Sequence, residues 1–388
     1  MRNKRRGKAL KTFQKVFAVT FLVLIAGMIA GEAAMPDRAY SPVEKRMLSQ
    51  FPAFSRERLF SGDFMSGMED YAKDQFPYRD LLMKIKTEGL RLAGQNESQG
   101  VFYMKNGALA EAFKMPDAAK TAETIREINA FYQRTGQAEH YFLLVPTAVN
   151  IDREELPDHA LTDDQDAYMN AFFNTLPAEM EKVDVREAFR ESAADLYYRT
   201  DHHWTTEGAY LAAKALYRAM EIDNEYAFSG GTVANDFVGS LAAKSGFTPK
   251  TADAITLYKL DHIPENDFYY TVSYEMEHEM KATVYDAAAL DGDDPYEVFF
   301  GGNHPLIRIE TSLDSGRQLL IFKDSYANAL IPFLVPYFKT VTVVDPRYYG
   351  EDVDLLVSEN GFTDILYVYN ANTLSTDAAL ATVLRNDQ

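Results

Sequence analysis

Two uninterrupted apolar runs constrain the fold of this 388-residue chain more than any other feature of its sequence. They cover residues 141–145 and 319–322, and neither contains a charged or amide side chain. A strand with one face in water alternates apolar and polar residues, so a run without alternation indicates burial on both faces. The two runs therefore predict a core built on a parallel sheet with helices on both faces.

Helical and strand-like segments alternate around these runs. Helical patterns cover residues 118–132, 165–176, 207–220, 327–338 and 353–358, and short strand patterns cover residues 101–104, 183–185, 341–344 and 365–369. This order is typical of an α/β domain. Between about residues 223 and 305 the pattern weakens into short alternating stretches rich in Asp, Glu and Gly. This predicts a β-rich insertion, which we expect to cover the functional site of the domain. We assign residues 96–388 to this domain and residues 35–95 to a linker and helical lead-in.

Composition excludes several classes of protein. Hydrophobic residues make up 47% of the chain, enough for a sizeable core, so a disordered chain is not expected. Lys and Arg number 39 against 58 Asp and Glu; seven of the basic residues lie in the first fifteen positions, which leaves 32 basic against 58 acidic residues beyond them. Such an acidic surface repels phosphate backbones and argues against nucleic acid as a partner. Because the sequence has no cysteine, disulfides, thiolate nucleophiles and cysteine-based zinc sites are excluded.

The N-terminus has the pattern of an export segment. Seven basic residues precede an uncharged and mostly apolar run over residues 16–31. This order is typical of a signal peptide or signal anchor, with the basic end in the cytoplasm and the rest of the chain exported. We assign residues 1–34 to this segment. A membrane anchor is the first expectation; cleavage near Gly31 and Ala33 is the alternative, because small residues there would permit it.

A carboxylate and an imidazole with catalytic spacing occur in residues 200–205, TDHHWT. In an extended segment, Asp201 and His203 would project the same way and His202 the other way. Asp201 would then fix the tautomer of His203 and leave its second nitrogen free to take a proton from a hydroxyl. Ser325 is the candidate hydroxyl, because it follows the apolar run 319–322 and precedes a predicted helix, a turn that exposes a side chain at the carboxyl edge of a sheet. The structural alternative is that Asp201 and Ser325 only cap a turn and a helix.

Two other pairs of residues are candidates for the rest of the site. The oxyanion of acyl transfer needs N–H donors, which the backbone of Ser325 and, as a second source, Gly302 and Asn303 could supply; a plain turn at 301–303 is the alternative. Arg347 and Tyr348 follow the predicted strand 341–344, which we expect beside the serine strand. A guanidinium pairs with carboxylates and an aromatic face stacks on a sugar ring, so these two suit a sugar or uronate site, with a structural ion pair as the alternative.

A metal site is another use of an Asp-His-His sequence. Zinc sites usually take histidines two to four residues apart on one face, whereas adjacent histidines on an extended backbone diverge. The other five histidines of the chain show no paired spacing. We therefore expect neither a metal nor a cofactor.

Three segments, TDHHWT at 200–205, KDSYAN at 323–328 and DPRYY at 345–349, resemble those of the DHHW proteins of bacterial cell surfaces. More distantly they resemble the alginate O-acetyltransferase family, whose catalytic domains are SGNH-hydrolase-like. In that family an Asp-x-His motif supplies the orienter and base, and a distant downstream serine is the nucleophile. The resemblance thus implies the same roles for Asp201, His203 and Ser325, in an order permuted relative to ordinary SGNH hydrolases.

The resemblance also implies partners. They are a multispanning membrane-bound O-acyltransferase that passes acetyl groups outward and a cell-surface polysaccharide that accepts them. His202, Trp204 and Tyr326 lie in the same motifs and are further candidates for substrate contact.

The sequence thus predicts an extracytoplasmic, membrane-anchored or secreted O-acetyltransferase that works through an acetyl-Ser325 intermediate. Two alternatives stay open. The same three residues could pass the acetyl group to water, as in an acetylesterase, since only water exclusion and acceptor affinity separate the two reactions. The chain could also be a non-catalytic polysaccharide-binding scaffold.

Overall fold

The structure is a computed structural model that describes residues 13–23, 25–27, 31, 35–41, 46–223, 225–261 and 268–385. These residues belong to two compact units, Met1–Ala93 and Gly94–Gln388. Much of the predicted export segment, residues 1–34, lies outside the described residues. Within the described ranges, no helix combines the length and the apolar character needed to cross a membrane.

Residues 13–23 and 25–27 of the first unit are helical. Among its described residues from 35 onward, the unit contains a short hairpin and three helices. Its elements are β1 (Tyr40–Ser41), β2 (Arg46–Met47), α1 (Arg56–Ser61), α2 (Asp63–Asp74) and α3 (Arg79–Leu92). Ser55 caps α1 by accepting a hydrogen bond from the N–H of Arg58. Gly62 separates α1 from α2 at a φ of 90°, a left-handed conformation that glycine adopts without strain.

The second unit is built on an eight-stranded mixed sheet. The described strands of this unit, within and outside that sheet, are β3 (Glu97–Ser98), β4 (Val101–Tyr103), β5 (Leu109–Glu111), β6 (Glu139–Val145), β7 (Glu181–Val183), β8 (Phe228–Phe237), β9 (Asp253–Leu260), β10 (Tyr270–Tyr274), β11 (Glu279–Lys281), β12 (Leu306–Thr311), β13 (Gln318–Lys323), β14 (Thr340–Val344) and β15 (Asp364–Asn370). The sheet has the order β11-β10-β12-β14-β13-β15-β6-β7. Strands β14, β13, β15, β6 and β7 run parallel, whereas β12, β10 and β11 extend the sheet by antiparallel pairing. The parallel sheet predicted from the apolar runs is confirmed for five strands.

The helices alternate with the parallel strands as predicted. They are α4 (Ala118–Arg134), α5 (Ala148–Ile151), α6 (Gln165–Phe173), α7 (Arg186–Glu191), α8 (Thr206–Ala219), α9 (Ser240–Ser245), α10 (Ala327–Leu334), α11 (Val353–Asn360), α12 (Ala371–Thr376) and α13 (Ala379–Leu384). The helix expected over 327–338 ends early, and its last turn is the 3₁₀-helix Val335–Tyr337. Pro336 explains this end, because proline has no N–H for the α-helical bond and restricts the residue before it.

Both faces of the parallel sheet are buried. Leu319 and Ile321 of β13 pack in one apolar cluster with α8 and α10, whereas Leu320 and Phe322 pack in a second cluster with α4 and α6. All four side chains have no exposed surface. Each contributes about 1.5–3 kcal/mol of burial free energy, which accounts for the absence of alternation in this run.

The strands in the region of the predicted insertion belong to two different sheets. Strands β8 and β9 form a separate antiparallel pair, whereas β10 pairs with β12 and so belongs to the main sheet. The strand expected at 101–104 also differs in its context, since β4 pairs with β3 and β5 in a small antiparallel sheet. Strands β4 and β10 have only three and five residues, which is too few for periodicity to show which sheet each strand joins.

Candidate active site

Ser325 lies in the turn between β13 and α10, as the sequence predicted. Asp324 shapes this turn: its Oδ1 accepts the N–H of Tyr326 at 2.9 Å, and its Oδ2 accepts the N–H and the Nδ2 of Asn370 at 2.8 and 2.7 Å. Asn370 is the last residue of the neighbouring parallel strand β15. The turn is therefore tied to the carboxyl edge of the sheet, with the partly exposed Ser325 on it.

The segment with Asp201 and His203 is a tight loop rather than an extended strand. Tyr197 and Trp204 form an isolated antiparallel bridge, and the chain reverses direction between them. The expectation that His202 points away from His203 is therefore wrong. The two imidazole centroids lie 3.8 Å apart, because a bend does not impose the alternation of a strand.

The structure brings Asp201, His203 and Ser325 into one continuous chain of hydrogen bonds. Nδ1 of His203 lies 2.6 Å from Oδ1 of Asp201, and Nε2 of His203 lies 2.7 Å from Oγ of Ser325. A carboxylate only accepts, so Nδ1 carries the proton and Nε2 is left to accept from the serine hydroxyl. This arrangement can remove a proton from the hydroxyl and return it.

The electrostatics of the pair favour a neutral imidazole beside an ionised carboxylate. Burial opposes ionisation of Asp201, but His202, His203 and the backbone N–H of Ser240 hold the pKa of that carboxyl well below its usual range. Burial, reinforced by His202, lowers the pKa of His203 to about 4. At neutral pH the imidazole is therefore unprotonated, as a general base requires.

Residues of the insertion hold Asp201 in place. The N–H of Ser240 donates to Oδ2 of Asp201 at 2.7 Å. Gly239 permits this approach, because a Cβ at that position would lie 2.2 Å from the Cβ of Asp201. Buried Asp253 accepts the N–H of Thr200 at 2.8 Å and its hydroxyl at 2.5 Å, which fixes the residue before Asp201. None of these supports was predicted, since no motif or spacing connects them with residues 200–205.

Tyr296 is another contact that sequence reasoning missed. Its ring stacks on the His203 ring with centroids 3.8 Å apart and planes inclined by 9°. It comes from the 3₁₀-helix Pro295–Val298 in the insertion. A tyrosine among loop residues gives no signal in a single sequence.

The two oxyanion candidates from the 301–303 turn differ in their surroundings. The N–H of Gly302 donates to the carbonyl of Phe299 at 3.3 Å, so this donor is already used within its own turn. The Oδ1 of Asn303 accepts from Nζ of Lys323 at 2.7 Å, which brings Asn303 to the end of β13. Within the part of the chain that the structure describes, the backbone N–H of Ser325 donates to no acceptor.

Arg347 lies at the expected edge of the sheet, since β14 is the parallel neighbour of β13. Its Nε and Nη2 donate to the carboxylate of Asp345 at 2.8 and 2.6 Å, so the alternative of a structural ion pair is present. Asp345 also pairs with the fully buried Lys323 at 2.8 Å. The Arg347 side chain nevertheless keeps 28% of its surface exposed, and Tyr348 beside it keeps 55%. Both can reach a ligand.

Trp204 and Tyr326 are not available for direct substrate contact, contrary to the prediction. Both are completely buried. The indole Nε1 of Trp204 donates to the carbonyl of Tyr326 at 2.9 Å, and the hydroxyl of Tyr326 donates to the carbonyl of His202. These bonds join the Asp201 loop to the serine turn. His202 itself has 35% of its side chain exposed and can contact a ligand.

The Asp-His-His sequence also groups three potential metal ligands. One atom each of Asp201, His202 and His203 lies within 4.8 Å of the others, so the argument from diverging histidines does not hold. Nδ1 of His203 and Oδ1 of Asp201 nevertheless share a proton at 2.6 Å. An ion bound between them would displace that proton and remove the polarity that directs Nε2 toward Ser325.

Comparisons with known proteins agree with the fold. No curated protein matches the chain. Among solved structures, the chain is similar to a DHHW family protein from Eubacterium siraeum, with a TM-score of 0.59 and 26% identity over 71% of this chain and 94% of that one. It is also similar to PatB1 from Bacillus cereus carrying a sulfonyl adduct, with a TM-score of 0.60 and 22% identity over 72% and 97% of the two chains.

A more distant similarity is to the O-acetyltransferase domain of Pseudomonas putida AlgJ. The TM-score is 0.44 and the identity 16%, over 74% of this chain and all of that one. The model of the DHHW family matches residues 87–344, a range that contains both the Asp201 loop and the Ser325 turn. Because this match spans more than half of the sequence, the chain belongs to the DHHW family.

Proposed function

We propose that this protein is an O-acetyltransferase that works through an acetyl-Ser325 intermediate, with His203 as the base and Asp201 as its orienter. One observation carries the proposal: Asp201, His203 and Ser325 are joined by hydrogen bonds of 2.6 and 2.7 Å. A capping role does not account for Ser325, because α10 has no side-chain cap hydrogen bond. Its hydroxyl is instead directed at an imidazole that is unprotonated at neutral pH.

In the first half of the reaction, Oγ of Ser325 bonds to the carbonyl carbon of an acetyl donor while its proton passes to Nε2 of His203. The negative charge that develops on the carbonyl oxygen is met by the backbone N–H of Ser325, which donates to no acceptor among the described residues. Collapse of this intermediate breaks the bond to the donor's leaving group. The leaving group takes the proton from His203.

In the second half, a sugar hydroxyl attacks the acetyl-serine ester. His203 takes the hydroxyl proton, the new ester bond forms, and Oγ of Ser325 recovers a proton as it departs. Water can replace the sugar in this step, which is how an acetylesterase would use the same residues. The exposed surfaces of Arg347 and Tyr348 support an acceptor site at this edge of the sheet.

The proposal includes a setting for the reaction. The unit is SGNH-hydrolase-like in the permuted order, a reading supported by the serine after a central parallel strand. The basic and then apolar N-terminus supports an extracytoplasmic location, with a cell-surface polysaccharide as acceptor. A membrane-bound O-acyltransferase would supply acetyl groups at that surface.

Acetyl transfer in the presence of a sugar acceptor tests this proposal. The purified chain is incubated with p-nitrophenyl acetate and neutral or uronate oligosaccharides, and acetylated sugar and free acetate are both quantified by mass spectrometry. We expect acetylated sugar from the wild type and none from Ser325→Ala, with Ser358→Ala, an exposed serine on α11, as the matched control. Acetate without acetylated sugar would establish an esterase, and no product of either kind would favour the scaffold.

A further inference from the structure

Tyr296 contacts both the proposed base and the residue of the proposed nucleophile. Its ring lies parallel to the imidazole of His203, 3.8 Å away between centroids. Its hydroxyl donates to the backbone carbonyl of Ser325 at 3.2 Å. One side chain thus joins two groups that lie 122 positions apart in the sequence.

Two aromatic rings pack against the imidazole of His203. The ring of His202 lies at the same centroid distance of 3.8 Å as the ring of Tyr296. The Tyr296 ring is nearly parallel to the imidazole, with the planes inclined by 9°, whereas the His202 ring is tilted by 39°. Only the ring edge is left for hydrogen bonding, with Nδ1 toward Asp201 and Nε2 toward Ser325. Rotation of the imidazole would require one of the flanking rings to move.

Tyr296 is itself held firmly. Its N–H donates to the side chain of Asp294 at 3.3 Å, in a short helix that begins with Pro295. Tyr198 packs edge-on against its ring at 6.2 Å, and Phe299 packs at 5.2 Å. Only 4% of Tyr296 is exposed, so it does not serve as a contact for a polysaccharide.

We propose that Tyr296 is a positioning residue for acyl transfer, one that stops rotation of His203 and fixes the carbonyl of Ser325. This inference rests on the proposed function of the same site. Holding the carbonyl also orients the peptide that follows the serine, while the stacked ring keeps Nε2 aimed at Oγ. Burial raises the pKa of Tyr296 well above its usual range, so the phenol stays protonated and can donate.

Two substitutions separate the ring from the hydroxyl. Tyr296→Phe keeps the stack and loses the bond to Ser325, and we expect the acylation rate to fall roughly 2- to 10-fold, the value of one hydrogen bond. Tyr296→Leu loses both, and we expect kcat to fall roughly 100-fold, as for a misplaced catalytic group, with KM nearly unchanged. Tyr285→Leu is the matched control, because Tyr285 also packs on Phe299 but donates to Tyr258 instead of the site.

A second readout does not depend on turnover. The groups that face His203 are Asp201, His202, Arg347 and the phenols of Tyr296 and Tyr326. NMR of the His203 ring reports its titration in the presence of all of them. In Tyr296→Leu we expect the pKa of His203 to rise from about 4, because water gains access to the ring, whereas Tyr296→Phe should leave it in place.

The two readouts distinguish failure of the inference from failure of the proposed function. Unchanged kcat together with an unchanged His203 titration in folded Tyr296→Leu would overturn the role of Tyr296. If Tyr296→Leu does not fold, a Tyr296→Phe acylation rate equal to that of the wild type would overturn it. If the wild type shows no acyl transfer but Tyr296→Leu still shifts the His203 titration, the proposed function is overturned. The positioning of His203 by Tyr296 would then still stand.

Discussion

At the scale of single residues, His203 is the centre of the account, because each of its ring nitrogens has one partner. Nδ1 donates to Asp201 and Nε2 accepts from Ser325. The direction of proton transfer therefore depends on the charge of Asp201, whose pKa is held low by the two imidazoles and the N–H of Ser240 in spite of burial. Hydrogen bonds from other loops hold both partners: the N–H of Ser240 donates to Asp201, and the hydroxyl of Tyr296 donates to the carbonyl of Ser325.

The rate of acylation should follow the titration of His203. Burial and His202 lower the pKa of this imidazole to about 4, so the neutral base predominates above that pH and is lost as the pH falls through it. We expect the rate of p-nitrophenol release to rise up to about pH 5 and then to stay level to about pH 8. Initial rates across that range check this, and a rising limb centred near pH 7 would contradict it.

Sequence reasoning identified the residues that we propose to react and missed those that hold them. Asp201, His203 and Ser325 carry chemistry that restricts the choice of residue, so their spacing and the strand before Ser325 were informative. Trp204 and Tyr326 share the same motifs but are buried connectors, and position in a motif does not reveal burial. The approach of His202 to His203 was missed because the loop conformation depends on Asp253 and Gly239, which lie far away in the sequence.

At the scale of elements, the insertion holds the Asp201 loop against the serine turn. It supplies the N–H of Ser240 to Asp201 and the ring of Tyr296 to His203. The weak pattern between β8 and β12 correctly predicted strands, but β8 and β9, with 10 and 8 residues, are longer than the short strands expected. The pattern also gave no indication of these contacts. Periodicity reports which face of an element is buried and does not report what an irregular loop touches.

Gly239→Ala should disrupt the site by sterics alone. The backbone at Gly239, with φ −90° and ψ −171°, suits any residue, but an added Cβ would lie 2.5 Å from Oδ2 of Asp201. We expect kcat to fall roughly 100-fold because Asp201 is displaced, and stability to fall by about 1–3 kcal/mol because the core of the loop is overpacked.

Gly231→Ala is the matched control for that substitution. Gly231 lies in β8 of the same insertion, and nothing approaches within 4 Å of an added Cβ there. Its kinetics should equal those of the wild type. Full activity in Gly239→Ala would show that the contact between the insertion and Asp201 is dispensable.

At the scale of the whole molecule, a cysteine-free chain depends on its apolar clusters and on the pairing of its buried polar groups. His140 of β6 is one such group, with Nε2 3.1 Å from the hydroxyl of Thr135. Its Nδ1 has no partner among the described residues. Burial lowers the pKa of His140 to about 4, so the folded protein holds this side chain neutral.

Acid should destabilise the fold partly through His140. Its pKa is about 4 when folded and about 6.5 when unfolded, so the unfolded chain binds more protons between these values and stability falls as the pH is lowered. One such proton changes the free energy of unfolding by up to about 1.4 kcal/mol per pH unit. Urea unfolding of wild type and His140→Gln from about pH 4 to pH 7 measures this slope. In the variant, the slope of the free energy of unfolding against pH should be smaller by the contribution of about one proton. An unchanged slope would contradict the account.

Covalent labelling of Ser325 is the most direct measurement of the central claim. A sulfonyl fluoride reacts covalently with an activated serine hydroxyl, so it is a suitable probe for Ser325. The purified protein is treated with the reagent, and intact mass and peptide mapping are compared for wild type, Ser325→Ala and His203→Ala. The account predicts one adduct on Ser325 in the wild type, none in Ser325→Ala and a strongly slowed reaction in His203→Ala. An adduct that persists in Ser325→Ala, or that maps to another residue of the wild type, would contradict it.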